Sequence, residues 1–165
     1  MKFGSSGALL ASAAAALLAT SAQPNLLPNA GFDADLAGWT VSPSGVVWDA
    51  LDAAGSQTSG SVAISATDTG GARSAFVCVP AQEGVSYAYS VAQLTASGQP
   101  DGVASVHLEW YSAPDCATNI GVANYVYSTV TDSWTRFGAT ATAPAGTQSA
   151  IFSCSRPPPA PGRAP

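Results

Sequence analysis

Charge is what this sequence has least of. Only 9% of its 165 residues are charged, five Lys and Arg stand against ten acids, and histidine occurs once. Lysine occurs only as Lys2, so the chain beyond its N-terminus carries four arginines against ten acids, a net charge of −6. Nucleic acid and anionic membranes both need clustered basic residues, and this composition argues against either as a partner. A partner that is neutral, or indifferent to charge, suits it. Long apolar runs are scarce too: the uninterrupted small and apolar stretch from Gly7 to Ala19 is too short to span a bilayer. No stretch carries a capped amphipathic helical pattern, and none repeats at solenoid spacing. Disorder does not fit either, because 47% of the residues are apolar and four are Trp.

What is present begins with an address. Lys2, the apolar run and then Thr20-Ser21-Ala22 form a secretory signal peptide over residues 1–22, with cleavage expected after Ala22. The protein is therefore expected to be secreted, extracellular or periplasmic, with no membrane attachment once the signal is removed. Taking 22 residues from 165 leaves 143, enough for one domain with a real core, here residues 23–155. The end of the chain is different in kind. "RPPPAPGRAP" (Arg156–Pro165) lacks the amide donors a ladder needs and reads as a proline-rich disordered tail.

Between these ends the pattern alternates with period two. "SVAISAT" (Ser61–Thr67), "RSAFVCVP" (Arg73–Pro80) and "GVSYAYSVAQL" (Gly84–Leu94) alternate, the last with Val85, Tyr87, Tyr89 and Val91 on one side. "GVASVHLEWY" (Gly102–Tyr111) places Val106, Leu108 and Trp110 on one face and His107, Glu109 and Tyr111 on the other. "GVANYVYSTV", "WTRFGATATA" and "TQSAIFSC" continue it. Gly- and Pro-containing turns separate them, such as Gln82-Glu83-Gly84 and Pro144-Ala145-Gly146. Short strands at regular spacing imply an all-β protein, an antiparallel β-sandwich or barrel.

Catalytic constellations are hard to find. There is no G-x-S-x-G elbow and no cysteine beside His107. His107 and Glu109 share a strand face and could form an acid–base couple, but a solvated face is the plainer reading. Most acids sit in turns, so no facing carboxylate pair of the glycosidase kind stands out. "DADLAG" (Asp33–Gly38) starts like an EF-hand loop and fails at Ala37 and Ser44, where oxygen ligands belong. Of three cysteines, Cys78 and Cys116 would close 38 residues by a bridge, worth roughly 4 kcal/mol on chain-entropy grounds, and Cys154 would be left odd.

The opening Asn25-Leu26-Leu27, Asn29, Gly31-Phe32-Asp33 and Gly38-Trp39 resembles the start of carbohydrate-binding modules of the galactose-binding-like jelly-roll type. "CVPAQEGVSYAYSVAQL" (Cys78–Leu94), "VHLEWYSAPDCATNIG" (Val106–Gly121) and "SWTRFGATATAPAGTQSAIF" (Ser133–Phe152) resemble that superfamily's central strands, Cys-containing loop and closing segment. The resemblance covers about residues 25–152. It implies a sandwich that binds polysaccharide or oligosaccharide as a monomer without cleaving it, often appended to a glycoside hydrolase. It implies that Asn25–Ser42 forms the first strand and turn, and that Cys78 pairs with Cys116. It also implies a structural Ca²⁺ held by Asp33 and an acid of a last strand. That strand is missing here, because the chain departs into the proline-rich tail. An unpaired sheet edge is then expected near Asn25–Leu27, and no complete calcium site.

Sugars present apolar C–H faces, so aromatic side chains outside the core are the candidate binders, with amides and carboxylates giving direction. Trp39, Trp110 and Trp134 fall at core positions. The candidates are Trp48, Tyr111, Tyr125 and Tyr127, with Glu109, Asn124 and His107 as hydrogen-bonding partners. The competing function is a secreted structural or adhesive sandwich that has lost its glycan; catalysis ranks third.

Overall fold

A computed structural model of the chain describes residues 24–65, 71–97 and 104–156. The expected signal peptide (1–22) and all but Arg156 of the expected tail (156–165) lie outside the described residues. The described part is all-β and antiparallel, with ten strands: β1 (Thr40–Val41), β2 (Val46–Asp49), β3 (Ser61–Ile64), β4 (Arg73–Pro80), β5 (Ser86–Gln93), β6 (Ala104–Tyr111), β7 (Asn119–Val122), β8 (Val126–Ser128), β9 (Thr135–Thr142) and β10 (Ser149–Arg156).

The first layer is a six-stranded sheet in the order β1-β4-β10-β6-β7, with β8 paired to β6 as well. β10 is central. Ser149–Arg156 pair with β4 on one side, and Ser149–Ser155 with β6 on the other. Alternation and register together build the core as three cross-strand rows: Val79–Ala150–Trp110, Val77–Phe152–Leu108 and Ala75–Cys154–Val106. All nine of these residues are buried. Tyr87, Tyr89 and Val91 of β5, Phe137 and Ala139 of β9, and Ile64 of β3 pack against them from the second layer. The expected inward face of β5 is thus observed. That second layer consists of two separate ribbons, β2-β3 and β5-β9.

Cys78 and Cys116 form a disulfide, with their Cα atoms 6.1 Å apart, as expected from the resemblance. It ties the loop after β6 over the outer face of β4. The Ser149 hydroxyl beneath that loop donates to the Ala113 carbonyl at 2.6 Å and accepts from the Cys116 amide at 3.2 Å. Cys154 is free and buried, and burial pushes its thiol up to about 12.

Three expectations need correcting. Asn25–Leu27 is not a strand; the first strand is the two-residue β1. Local side-chain bonds take over the backbone there: Asn25 Oδ1 accepts from Leu27 N, Asn29 Oδ1 from Asp33 N, and Asp35 Oδ1 from Ala37 N. Leu27 still packs on the core, and Trp39 Nε1 anchors the segment by donating to the Pro28 carbonyl at 3.0 Å. Among the described residues, strand edges without a partner include those of β3 and β5 rather than Asn25–Leu27. Finally, β10 runs on through Ser155 to Arg156, because the pairing with β4 continues past Cys154.

Candidate functional site

β6 carries two buried faces rather than one. The odd-numbered residues His107 and Tyr111 are 4% and 8% exposed, which corrects the reading of a solvated face. The cause is the segment after β7. β8 pairs with the first half of β6, Val106 opposite Val126, so Val126 turns into the core and Tyr125 and Tyr127 emerge on the outer face. The Tyr125 ring lies over His107, with centroids 4.0 Å apart and planes at 31°. Tyr127 lies nearly parallel to Tyr125, at 6.1 Å and 14°.

A hydrogen-bonded chain runs beneath the two rings. His107 Nε2 meets Glu109 Oε1 at 3.1 Å, and the Tyr111 hydroxyl donates to Glu109 Oε2 at 2.6 Å. Burial, followed by that contact with Glu109, holds the Tyr111 phenol above its ordinary pKa. His107 Nδ1 is buried and has no partner among the described residues. The chain fixes the floor, while Tyr125 (45% exposed) and Tyr127 (56% exposed) form its open surface. Val122, opposite Glu109 on β7, is exposed beside them.

The structure therefore divides the candidates. Tyr125, Tyr127, Glu109, Tyr111 and His107 come together; Tyr111 is buried and supports Glu109 rather than offering its own ring. Asn124 is exposed at the edge of this group, and its carbonyl accepts from Tyr89 OH at 2.9 Å, pinning the loop to the second layer. Trp48 stands apart on β2. Its indole rests on Gly60, where a Cβ would come within 2.8 Å of the ring, and its Nε1 donates to the Phe32 carbonyl at 2.8 Å. That geometry holds the N-terminal loop against β2. Val122 escaped the sequence reading; its only signal was its place in the alternation of "GVANYVYS".

Chemically the site is a platform. Glu109 accepts from Tyr111 through one oxygen and meets His107 through the other, and among the described residues it is the carboxylate of this group. Asp33 is exposed, and among the described residues no three His, Cys, Asp or Glu side chains group to hold a metal.

No family model matches the chain, and no curated protein matches it. Among solved structures it is similar to the enzymatically active domain of Bacteriophage CBA120 tailspike protein 4, with a TM-score of 0.60 and 14% identity, over 79% of this chain and 19% of that one. It is also similar to Family 16 Carbohydrate Binding Module-2, with a TM-score of 0.58 and 19% identity, over 82% of this chain and 91% of that one. The chain thus spans about a fifth of the tailspike domain's length and nearly the whole of the module. At these identities the likeness is one of fold: an all-β sandwich of the architecture that a carbohydrate-binding module has over its full length.

Proposed function

We propose that this chain is a secreted, non-catalytic carbohydrate-binding module of the galactose-binding-like type, with Tyr125 and Tyr127 as its sugar-stacking surface. The observation that carries the reading is the pair of near-parallel, half-exposed rings above a fixed floor of His107, Glu109 and Tyr111. Stacking on C–H faces needs flat aromatic area that is already ordered, and Tyr loses little side-chain entropy on binding. Asn124 and Val122 border the rings and supply a polar and an apolar edge. The ligand is a neutral polysaccharide or oligosaccharide, in keeping with the scarcity of basic residues.

The test is retention of the mature chain on a panel of insoluble polysaccharides. Each exposed ring is expected to contribute about 1.4 kcal/mol or more, so Tyr125→Ala or Tyr127→Ala should weaken retention roughly tenfold. Circular dichroism should be unchanged, since both side chains lie on the surface. Unaltered retention in the double variant would refute the site. No retention on any polysaccharide would favour the structural or adhesive alternative. Release of reducing sugar, abolished by Glu109→Gln, would overturn the non-catalytic reading.

A further inference from the structure

The second layer has a slot in it. Among the described residues β5 pairs with β9 alone and β3 with β2 alone, and a cavity of about 1000 Å³ opens beside both strands. Its floor is the inner face of the first sheet, at Leu108, Ala150 and Phe152. Its walls are those strand edges together with the N-terminal loop at Leu26, Leu27 and Phe32, and the phase of each ladder tells which backbone groups the partner strand leaves unused. Ala143 N–H donates to the Val85 carbonyl at 2.9 Å, so odd-numbered residues of β5 bond to β9. The amides and carbonyls of Ser86, Ala88, Ser90 and Ala92 therefore turn the other way. Likewise Ser65 N–H donates to the Gly45 carbonyl at 2.7 Å, so Val62 and Ile64 turn their backbone groups away from β2. All six of these residues border the cavity.

We infer that this slot takes an extended strand of a separate polypeptide, inserted between β3 and β5. An apolar floor alone would suit an acyl chain as well. Two bordering rows of alternating donors and acceptors do not: an extended backbone repeats its own donors and acceptors every two residues, about 6.6 Å, in step with such an edge. Lipid chains have none, and sugar hydroxyls do not keep that spacing. Length follows from β5, which offers eight residues of edge. Charge follows from the rim, where two acids, Asp49 and Asp52, and two arginines, Arg136 and Arg156, border the cavity and balance. The occupant is thus a neutral segment with apolar residues facing the floor and small polar residues facing water. A second copy of this chain is a poor donor, because β4, β6 and β10 already pair on both sides and the equally long β5 and β9 already lay their apolar faces on their own core. The proposal is independent of sugar binding, which uses the opposite face of the first sheet.

The test uses the full mature chain and a blocked nonapeptide of alternating threonine and valine. Binding is read from tryptophan fluorescence, because Trp134 borders the cavity, and from the rise in melting temperature. Peptides N-methylated at every threonine or at every valine lose the donors along one edge and should each bind at least tenfold more weakly. Ala88→Pro removes an amide that β9 does not use, so it should weaken the unmodified peptide tenfold while leaving polysaccharide retention intact; Ala88→Thr should bind as the parent does. Should Ala88→Pro fail to fold, the N-methylated peptides still decide. Failure of the unmodified peptide to bind, equal binding of the N-methylated peptides, or laurate competing as strongly as the peptide would overturn the inference. So would concentration-dependent dimers that the peptide does not dissolve.

Discussion

Removing the Cys78–Cys116 bridge tests the energetics of the first layer most directly. The bridge closes 38 residues, and the chain-entropy relation gives about 13 cal/mol/K for a loop of that length, or about 4 kcal/mol at room temperature. A smaller term accompanies it. Cys116 sits at φ 58°, and its amide donates to Ser149, so release of the loop also risks the Ser149 bonds, at about 1 kcal/mol each. The entropic term is the larger, so the double replacement Cys78→Ala/Cys116→Ala should cost about 4 kcal/mol, against a total of about 5–15 for a domain of this kind. Urea unfolding followed by tryptophan fluorescence measures it. With a slope of about 1.5 kcal/mol/M, the midpoint should fall by roughly 2–3 M. Mild reduction should give the same shift, because Cys78 is exposed and Cys116 half-buried. Cys154 supplies an internal control: buried and with its thiol raised, it should take up a thiol reagent only when the whole domain opens. A loss below about 1 kcal/mol would refute the reasoning and mean that Ser149 and its neighbours hold the loop unaided.

The Cys154 thiol ordinarily loses its proton near 9.0 and in the fold near about 12, so stability should be level up to about pH 9 and fall between there and 12. Tyr89 and Tyr111, also raised by burial, steepen that fall above their ordinary value of 10.0; Cys154→Ala should delay its onset in pH-dependent urea titrations. Phe152, 3% exposed and edge-on to Trp39 at 6.0 Å, should cost about 3 kcal/mol when changed to Ala, the low end for such a truncation because it borders an open cavity. Its loss should also change Trp39 emission. Mass spectrometry of secreted protein should find Gln23 at the N-terminus, and recovery of the intact chain would refute the export reading.

Much of the fold was legible because burial on one face leaves a period-two trace. β4 stands at Arg73–Pro80 in both the pattern and the structure, and β5, β6 and β9 differ only at their ends. Short edge strands left no such trace: β1, β2 and β7 have two to four residues, too few to establish an alternation. Misreading His107 and Glu109 as solvated has a different cause. Alternation says which residues share a face, not what covers it, and Tyr125 arrives over His107 from 18 residues downstream. The slot was invisible for the same reason, since it depends on which strands fail to meet. At the N-terminus, apolar Leu26-Leu27 looked like a strand, but Asn25 and Asn29 bond their own backbone and take the ladder's place.

The central position of β10 also dictates an order of events. β4 and β6 are both made before β10, yet neither has its shared partner until Ser149–Arg156 exists, some 70 to 80 residues after β4. Little of the core can close earlier, because Phe152, Ala150 and Cys154 fill the middle of every row. Such a chain forms its contacts late and over long separations, which slows folding and keeps the earlier strands open while they wait. On the export reading proposed above this would be an advantage: the polypeptide would stay thread-like during passage and lock only on the far side, once its keystone strand had emerged.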